Sequence, residues 1–297
     1  MYDIKNNIIS YLRSGHKMPK AKEVSPFIEG TKGGEVAIFI DASYFIFYRF
    51  FALTQWWKVA RPEDPLDVPI ENQEFVEKFR ATFVEKVAEI PKKLGINVKK
   101  DKTKVTIYVA RDCPRRDIWR MNLFPDYKAN RNYDGFQGGP FFQMAYDEQL
   151  FERGGAVKVY RHPKLEADDC IALAVRKYTM ENPELRCIIM GSDQDYLQIV
   201  SDRVNIFNLK YKNIAEGKTA SYDAKRNLFI KIVMGDTSDN IPACFPKCGF
   251  KTATRCYDEP EFFEKKKTAE SDAIFQRNNQ IINFEFIPNE YANELPL

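Results

Sequence analysis

Five short segments rich in β-branched and aromatic residues constrain this chain more than any other feature. They are Val36-Ala37-Ile38-Phe39-Ile40, Val105-Thr106-Ile107-Tyr108-Val109-Ala110, Val157-Lys158-Val159-Tyr160, Cys187-Ile188-Ile189-Met190 and the stretch from Arg203 to Leu209. Short apolar runs of this kind read as strands buried inside a sheet. Between them stand segments with helical spacing. Tyr44 to Phe51 is apolar nearly all round, as a buried helix would be. Asn72 to Leu94 carries Phe75, Phe79, Phe83, Val87 and Ile90, and a third helix carries Ile171, Ala174, Val175 and Tyr178. A loop with Pro62, Pro65 and Pro69 separates the first two. Strands alternating with helices predict an α/β fold, a mostly parallel central sheet covered by helices. Right-handed crossovers bring the strand ends to one side. Asp41, Asp112 and Asp193 each follow a strand and should project from the same edge. Asp is a common turn former, so one alone would mean little. Three at three strand ends mark a site.

Further carboxylates crowd the same region. Glu166, Asp168 and Asp169 fall in the first turn of the third helix, and Asp193 is followed by Asp195. An acidic first turn also complements a helix dipole, which leaves a second reading open for the first three alone. Glu166 and Asp169, three apart, share a helix face. Crowded negative charge needs neutralising, and hard divalent ions with oxygen ligands do this best.

The bulk properties are those of an ordinary globular chain. Its 297 residues can bury a large core in one or two domains. A net charge of +3 excludes a general polycation, so any nucleic-acid surface must come from local clustering. No long uncharged apolar run predicts a membrane span. The segment 1–22 lacks the apolar core of a secretory signal and has too few arginines for a transit peptide, so secretion is not expected. Cys113, Cys170, Cys187, Cys244, Cys248 and Cys256 are scattered through apparent strands and helices, which suits free thiols in a reducing compartment. Cys244, Cys248 and Cys256 lack a fourth Cys or His nearby, so packing is expected there rather than zinc.

Three regions are expected. Residues 1–34 form an N-terminal extension in which Asp3 caps a short helix bearing Ile4, Ile8, Ile9 and Leu12. Residues 35–222 form the α/β core. Residues 223–297 form a helical region, with a helix around Phe229–Val233, another opened by Gly249, a charged helix over 261–280 and an extended end at Phe284–Pro288.

Six blocks occur in a telling order. They are Ile40-Asp41-Ala42-Ser43; Asp112 after its strand; Leu123-Phe124-Pro125-Asp126-Tyr127-Lys128-Ala129-Asn130-Arg131; Glu166-Ala167-Asp168-Asp169; Gly191-Ser192-Asp193-Gln194-Asp195; and Gly235-Asp236 with Ser238-Asp239-Asn240-Ile241-Pro242. In this order, over about residues 35–255, the chain resembles the structure-specific 5′ nucleases: flap endonucleases, bacteriophage 5′ nucleases and the 5′-nuclease domain of bacterial DNA polymerase I. The resemblance implies a PIN-like core with an arch at about 113–150 and a C-terminal DNA-binding element of helix-turn-helix type. With no polymerase domain attached, a stand-alone, viral or phage-like form is expected. Its setting would be intracellular, in the nucleus or cytoplasm of a host or in a virus factory.

The same resemblance implies two Mg²⁺ ions, with Mn²⁺ able to substitute. Asp41, Asp112, Glu166, Asp168 and Asp169 would serve the first, and Asp193, Asp195, Asp236 and Asp239 the second, some through water. Two ions about 4 Å apart supply a hydroxide and stabilise a leaving oxygen. The implied products carry a 5′-phosphate and a 3′-hydroxyl. Lys128 and Arg131 would contact the scissile phosphate.

Around them, Arg111, Arg115, Arg116 and Arg120 interleave with Trp119, Phe124, Tyr127 and Tyr133. Charges that follow a backbone, with rings that stack on bases, suit single-strand binding; a solvated charged face is the alternative. Arg115, Arg116, Arg120 and Tyr127 are therefore candidate nucleic-acid contacts. The resemblance also implies an aromatic of the first helix that stacks on a terminal base; Phe47, with Tyr48 as its rival, has the matching offset from Asp41, although core packing is the commoner fate of such rings. Gly135, Gly138, Gly139 and Pro140 fit a mobile arch or a plain loop. Gly249, Lys251 and Thr252 would meet duplex phosphates at a helix N-terminus. A K⁺ ion is implied at the turn before them, but Ala243 replaces the usual Gly and Phe245–Cys248 is about one residue longer than the pattern.

The expected partner is DNA with a 5′ flap, nick or free 5′ end, bound by a monomer without membrane attachment; no sliding-clamp peptide is evident. Two other readings are a 5′→3′ ribonuclease with the same pocket, since the 2′-hydroxyl is read away from the phosphate, and an inactive nucleic-acid-binding relative. The second predicts missing acids, whereas every acidic motif position is filled.

Overall fold

The computed structural model describes residues 26–297. The expected helix around Ile4–Leu12 lies outside the described residues. All five expected strands are present: β1 (Glu35–Asp41), β2 (Lys104–Ala110), β3 (Ala156–Tyr160), β4 (Arg186–Met190) and β5 (Val204–Phe207). They form one parallel sheet in the order β3-β2-β1-β4-β5. The direction of strand addition reverses between β1 and β4, the kind of crevice where open α/β sheets bind ligands. Register makes the crevice specific. Asp41 pairs with Ala110 and Ile40 with Met190, so the chain leaves β2 and β4 beside the end of β1. Asp112 and Asp193 follow within three residues.

Helices cover both faces. On one, α1 (Ala42–Ala60) and α2 (Gln73–Ala88) pack with α3 (Gly139–Asp147) around Phe45, Phe50, Phe75, Phe79, Phe83 and Phe141. On the other, α4 (Ala167–Glu181) lays Ile171 and Ala174 against Phe39, Cys187 and Ile189. Burying each large apolar side chain contributes about 1.5–3 kcal/mol, so these layers are what hold the strand ends in register. All six cysteines are buried and unpaired, as packing requires. Residues 26–34, expected within the N-terminal extension, pack on the core: Ile28 is buried, and Thr103 Oγ1 donates to Thr31 O at 3.1 Å.

Beyond the sheet come α5 (Ala224–Met234), α6 (Phe250–Asp258), α7 (Pro260–Lys266) and α8 (Ala269–Ile282). Residues 235–249 join α5 to α6, a longer connection than the roughly three-to-four-residue turn of a tight helix-turn-helix.

Three sequence expectations change. The helix expected over 72–94 breaks at Glu89, because Pro91 has no N–H to continue the ladder. The charged helix expected over 261–280 is two, since Thr268 caps a fresh start by accepting from Ser271 N at 3.1 Å. Phe284–Phe286 is a 3-10 turn rather than extended. Asn283 Oδ1 accepts from Glu285 N at 3.0 Å, and Phe284 N donates to Gln198 Oε1 at 2.8 Å, which draws the buried Phe284 ring into the core. Among the described residues no helix is long and apolar enough to cross a membrane.

Candidate metal centre and its internal cations

The end of β1 delivers the first carboxylate. Asp41 caps α1, accepting from Tyr44 N at 3.0 Å, and receives the Tyr196 hydroxyl at 3.2 Å. Asp112 bridges two helix starts: Ser43 Oγ donates to Oδ2 at 2.5 Å and Ala167 N to Oδ1 at 2.8 Å. Burial, then the charge of Asp112, then that of Asp193 push the Asp41 carboxyl up to about 7, despite hydrogen bonds that oppose the rise. The Tyr196 hydroxyl is held well above its usual range by burial and by the joint field of Asp41, Asp168, Asp193 and Asp112. The Tyr196 hydroxyl thus touches Asp41 and feels the charge of three further acids from three other segments.

The start of α4 supplies the next group. Carboxylate oxygens of Glu166, Asp168 and Asp169 lie within 4.8 Å of one another. Glu166 N donates to Asp169 Oδ2 at 3.1 Å, and Asp169 N to Asp168 Oδ1 at 2.8 Å, so the acids also fasten the helix start. Burial and the neighbouring Asp169 push Asp168 well above the carboxylate range. Asp169 itself is fully buried and faces inward. Arg120 meets both of its oxygens, at 2.7 and 2.8 Å, and Trp119 Nε1 donates at 3.0 Å. Its partner within the fold is therefore Arg120.

That pairing corrects the reading of Arg120 as a nucleic-acid contact. Its side chain is 2% exposed, and its Nε donates to Ile281 O at 2.7 Å. A cation that deep needs the carboxylates beside it. Tyr127, also expected at the nucleic-acid surface, is 3% exposed; its hydroxyl donates to Glu166 Oε2 at 3.0 Å and reaches Asp239 Oδ2 at 3.2 Å. Phe47 is likewise not open to a base. Phe136 and Phe142 lie against it, with ring centroids at 4.8 and 4.7 Å. Tyr48 is partly buried and packs beside Tyr44. Arg115 and Arg116 are exposed, as are Gly249 and Lys251, while Thr252 is half-buried at the start of α6.

Lys128 and Arg131 face the acids. The Lys128 ammonium pairs with Glu166 Oε1 and lies 3.6 Å from Asp239 Oδ2; Arg131 Nη2 is 2.5 Å from Asp239 Oδ1. Burial alone would raise Asp239, but Lys128 and Arg131 hold it down to about 2. The same competition leaves Glu166 below its usual value, through Lys128 and then Arg120. Backbone stitching fixes the arrangement. Lys128, with a left-handed φ of 57°, donates its N–H to Asp239 O at 2.8 Å, and Asn240 Nδ2 donates to Asp126 O at 2.8 Å. Asp239, grouped by sequence with the second ion, thus shares Lys128 with Glu166 of the first.

The remaining acids gather at the end of β4. Asp193 Oδ1 accepts from Asp195 N at 2.9 Å. Asp236 sits after Gly235, whose φ of +69° and closeness to Ile241 O (2.5 Å from any added Cβ) leave no room for a side chain. Between Asp195 and Asp236 stands Lys231, its Nζ 2.9 Å from Asp195 Oδ1 and 2.6 Å from Asp236 Oδ2. Lys231 holds Asp236 below its usual value against burial. At Asp195 burial wins over Lys231, with Asp193 and Asp236 adding to it, and the carboxyl rises to about 7. Asp195 Oδ1 is buried, and the Lys231 ammonium at 2.9 Å is its partner.

Sequence reasoning missed Lys231, Ser43 and Tyr196. Lys231 was hidden inside an otherwise apolar helical run, and its only signal was a lone cation one turn before Asp236.

Oxygen donors dominate this constellation, and carboxylate oxygens of Glu166, Asp168 and Asp169 converge within 4.8 Å. Such a donor set fits a hard divalent cation.

Residues 36–227 match the family model described as 5′-3′ exonuclease, N-terminal resolvase-like domain. The chain is 34% identical over 144 residues to a 5′-3′ exonuclease of Buchnera aphidicola subsp. Acyrthosiphon pisum, covering 46% of this chain and 48% of that protein. It is 31% identical over 156 residues to a Bacillus subtilis 5′-3′ exonuclease, covering 50% of each. It is 30% identical over 171 residues to DNA polymerase I of Mycobacterium tuberculosis, covering 54% of this chain and 18% of that one. The matches thus span about half the length of the exonuclease relatives. Among solved structures, the bacteriophage T5 5′-exonuclease with divalent zinc ions bound superposes with a TM-score of 0.56 at 14% identity, covering 87% of this chain and 96% of that one. A T5 flap endonuclease complex with DNA and metal ions gives a TM-score of 0.54, also at 14% identity and with the same two coverages. At that identity the likeness is one of fold.

Proposed function

Because the chain belongs to the 5′-3′ exonuclease family of nucleases, we propose that it is a divalent-metal-dependent 5′ nuclease. It would hydrolyse DNA phosphodiesters at 5′ flaps, nicks or free 5′ ends, leaving a 5′-phosphate and a 3′-hydroxyl, in DNA replication or repair. The observation that carries this is that Asp41, Asp112 and Asp193 follow neighbouring strands at the switch point of the sheet, with Asp112 tied to the start of the helix that bears Asp168. The six buried, unpaired thiols suit the reducing intracellular setting proposed for it.

Asp41, Asp112, Asp168 and Asp193 would hold the metal, with Glu166 and Asp169 behind them and Asp195 and Asp236 holding a second ion; Mg²⁺ is proposed for both. When bound, such ions lower the pKa of water and stabilise a leaving oxygen. The chain's own residues do the rest. Ser43 and the Ala167 N–H orient Asp112. Lys128 and Arg131 sit at the edge of the acids, where a phosphate could exchange for Glu166 and Asp239 as their partner. Exposed Arg115 and Arg116, and Gly249, Lys251 and Thr252 at the start of α6, would follow the nucleic-acid backbone.

A duplex with a labelled 5′ flap, incubated with Mg²⁺ and separately with excess EDTA, tests the reading. DNA, RNA and hybrid strands are run side by side. Metal-dependent cleavage of DNA near the flap junction is the expected result. Cleavage confined to RNA would make the chain a ribonuclease, and no cleavage with any strand would overturn the reading.

A further inference from the structure

We infer that Lys231 is a built-in counter-ion of the second acidic group. Its ammonium balances Asp195 and Asp236 while no divalent cation is bound, and withdraws when one enters. Cation binding there is thereby kept weak. This rests on the metal-dependent reading above.

The geometry supports each part. Lys231 stands in the last turn of α5, where its carbonyl accepts the Gly235 N–H at 2.8 Å, so its backbone is fixed beside Asp236. Its side chain is 12% exposed and touches both acids. At Asp195 the ammonium is the counter-charge of Oδ1, at 2.9 Å, so an ion that binds this oxygen must displace it. Lys231 also lines a cavity of about 220 Å³, where Gln194, Thr219 and Asn227 mix with Leu197, Ile230, Met234 and Phe250. The cavity gives the side chain room to swing without unfolding α5, with the Gln194, Thr219 and Asn227 side chains there to take its ammonium. A divalent ion between Asp195 and Asp236 would face repulsion from the ammonium until it moved. Ion and ammonium compete for the same oxygens.

The test uses the full chain and Mn²⁺ alone, titrated by calorimetry into wild type, Lys231→Met and Lys231→Arg. Lys231→Met should tighten the weaker Mn²⁺ site by on the order of tenfold or more, comparable to what one charge at about 4–6 Å does to a neighbouring ionisation. The tighter site should change little. Lys231→Arg keeps the charge and should keep the weak affinity. Melting in EDTA should drop for Lys231→Met and recover with Mn²⁺ by more than wild type gains.

An unchanged or weakened second site in folded Lys231→Met would overturn the inference while leaving the metal reading intact. Absence of Mn²⁺ binding in wild type would remove both. Should Lys231→Met fail to fold in EDTA, Lys231→Gln, which keeps a donor for Asp236, takes its place under the same criteria.

Discussion

Arg120 and Asp169, forty-nine residues apart in sequence, form a two-pronged ion pair with almost no solvent exposure, at 2.7 and 2.8 Å. The pair is one of several by which the site neutralises part of its own charge. Glu166 and Asp239 take Lys128 and Arg131, and Asp195 and Asp236 take Lys231. Among the described residues, no cation pairs with Asp41, Asp112, Asp168 or Asp193. The uncompensated charge is concentrated where the ends of β1, β2 and β4 meet the start of α4.

Removing Arg120 should therefore cost stability before it costs binding. Arg120→Ala leaves Asp169 buried and unpaired, a loss of about 3–5 kcal/mol, to be read from urea unfolding in EDTA. Within the folded fraction, the salt dependence of DNA binding should not change. A loss under about 1 kcal/mol together with a flattened salt slope would return Arg120 to the nucleic-acid surface.

Without metal, stability should fall as pH rises from about 5 to 8. Asp41 and Asp195 titrate near 7 in the fold but near 4 when unfolded, so in this window the folded chain holds more protons. Raising the pH then favours unfolding. The depressed carboxylates, Asp239 at about 2 among them, are ionised in both states over this range and add no slope. Melting temperature in EDTA should decline across the window, and Mg²⁺ should reduce the decline because it prefers the ionised acids. A melting temperature that rises with pH in EDTA would contradict the burial of these two carboxyls.

Lys128→Ala should slow cleavage by about 10²–10³-fold, the usual effect of losing a preorganised charge-stabilising donor. Binding of the flap substrate in Ca²⁺ should weaken far less. Equal losses in single-turnover rate and in affinity would make Lys128 an ordinary phosphate contact.

Gly235→Ala should unseat Asp236. The new methyl would stand 2.5 Å from Ile241 O at a left-handed backbone position, a strain of about 1–3 kcal/mol. Lower melting temperature and loss of the weaker Mn²⁺ site are expected together. Retention of both would show that the 235–241 turn tolerates rearrangement.

The sheet was legible because strands covered on both faces must be apolar throughout, and the acids that follow them stand out against that background. The site's cations were not. Arg120 sits in a charged, aromatic stretch that reads as a nucleic-acid surface, and only tertiary contact with Asp169 and Ile281 O reveals it as buried. Lys231 was lost in the apolar spacing of α5, because nothing local says that two carboxylates fold back onto it. Phe47 had the right offset from Asp41, but offset cannot show that Phe136 covers it. At Phe284–Phe286 a local Asn cap and a tertiary acceptor, Gln198, outweigh the β propensity of Phe-Glu-Phe-Ile.

Anomalous diffraction from crystals grown with Mn²⁺ tests the site most directly. Two peaks are expected, one among the oxygens of Asp41, Asp112, Asp168 and Asp193, the other at Asp195 and Asp236. Density elsewhere on the chain, or none beside Asp112 and Asp193 at saturating Mn²⁺, would mean that these acids meet for some purpose other than holding metal.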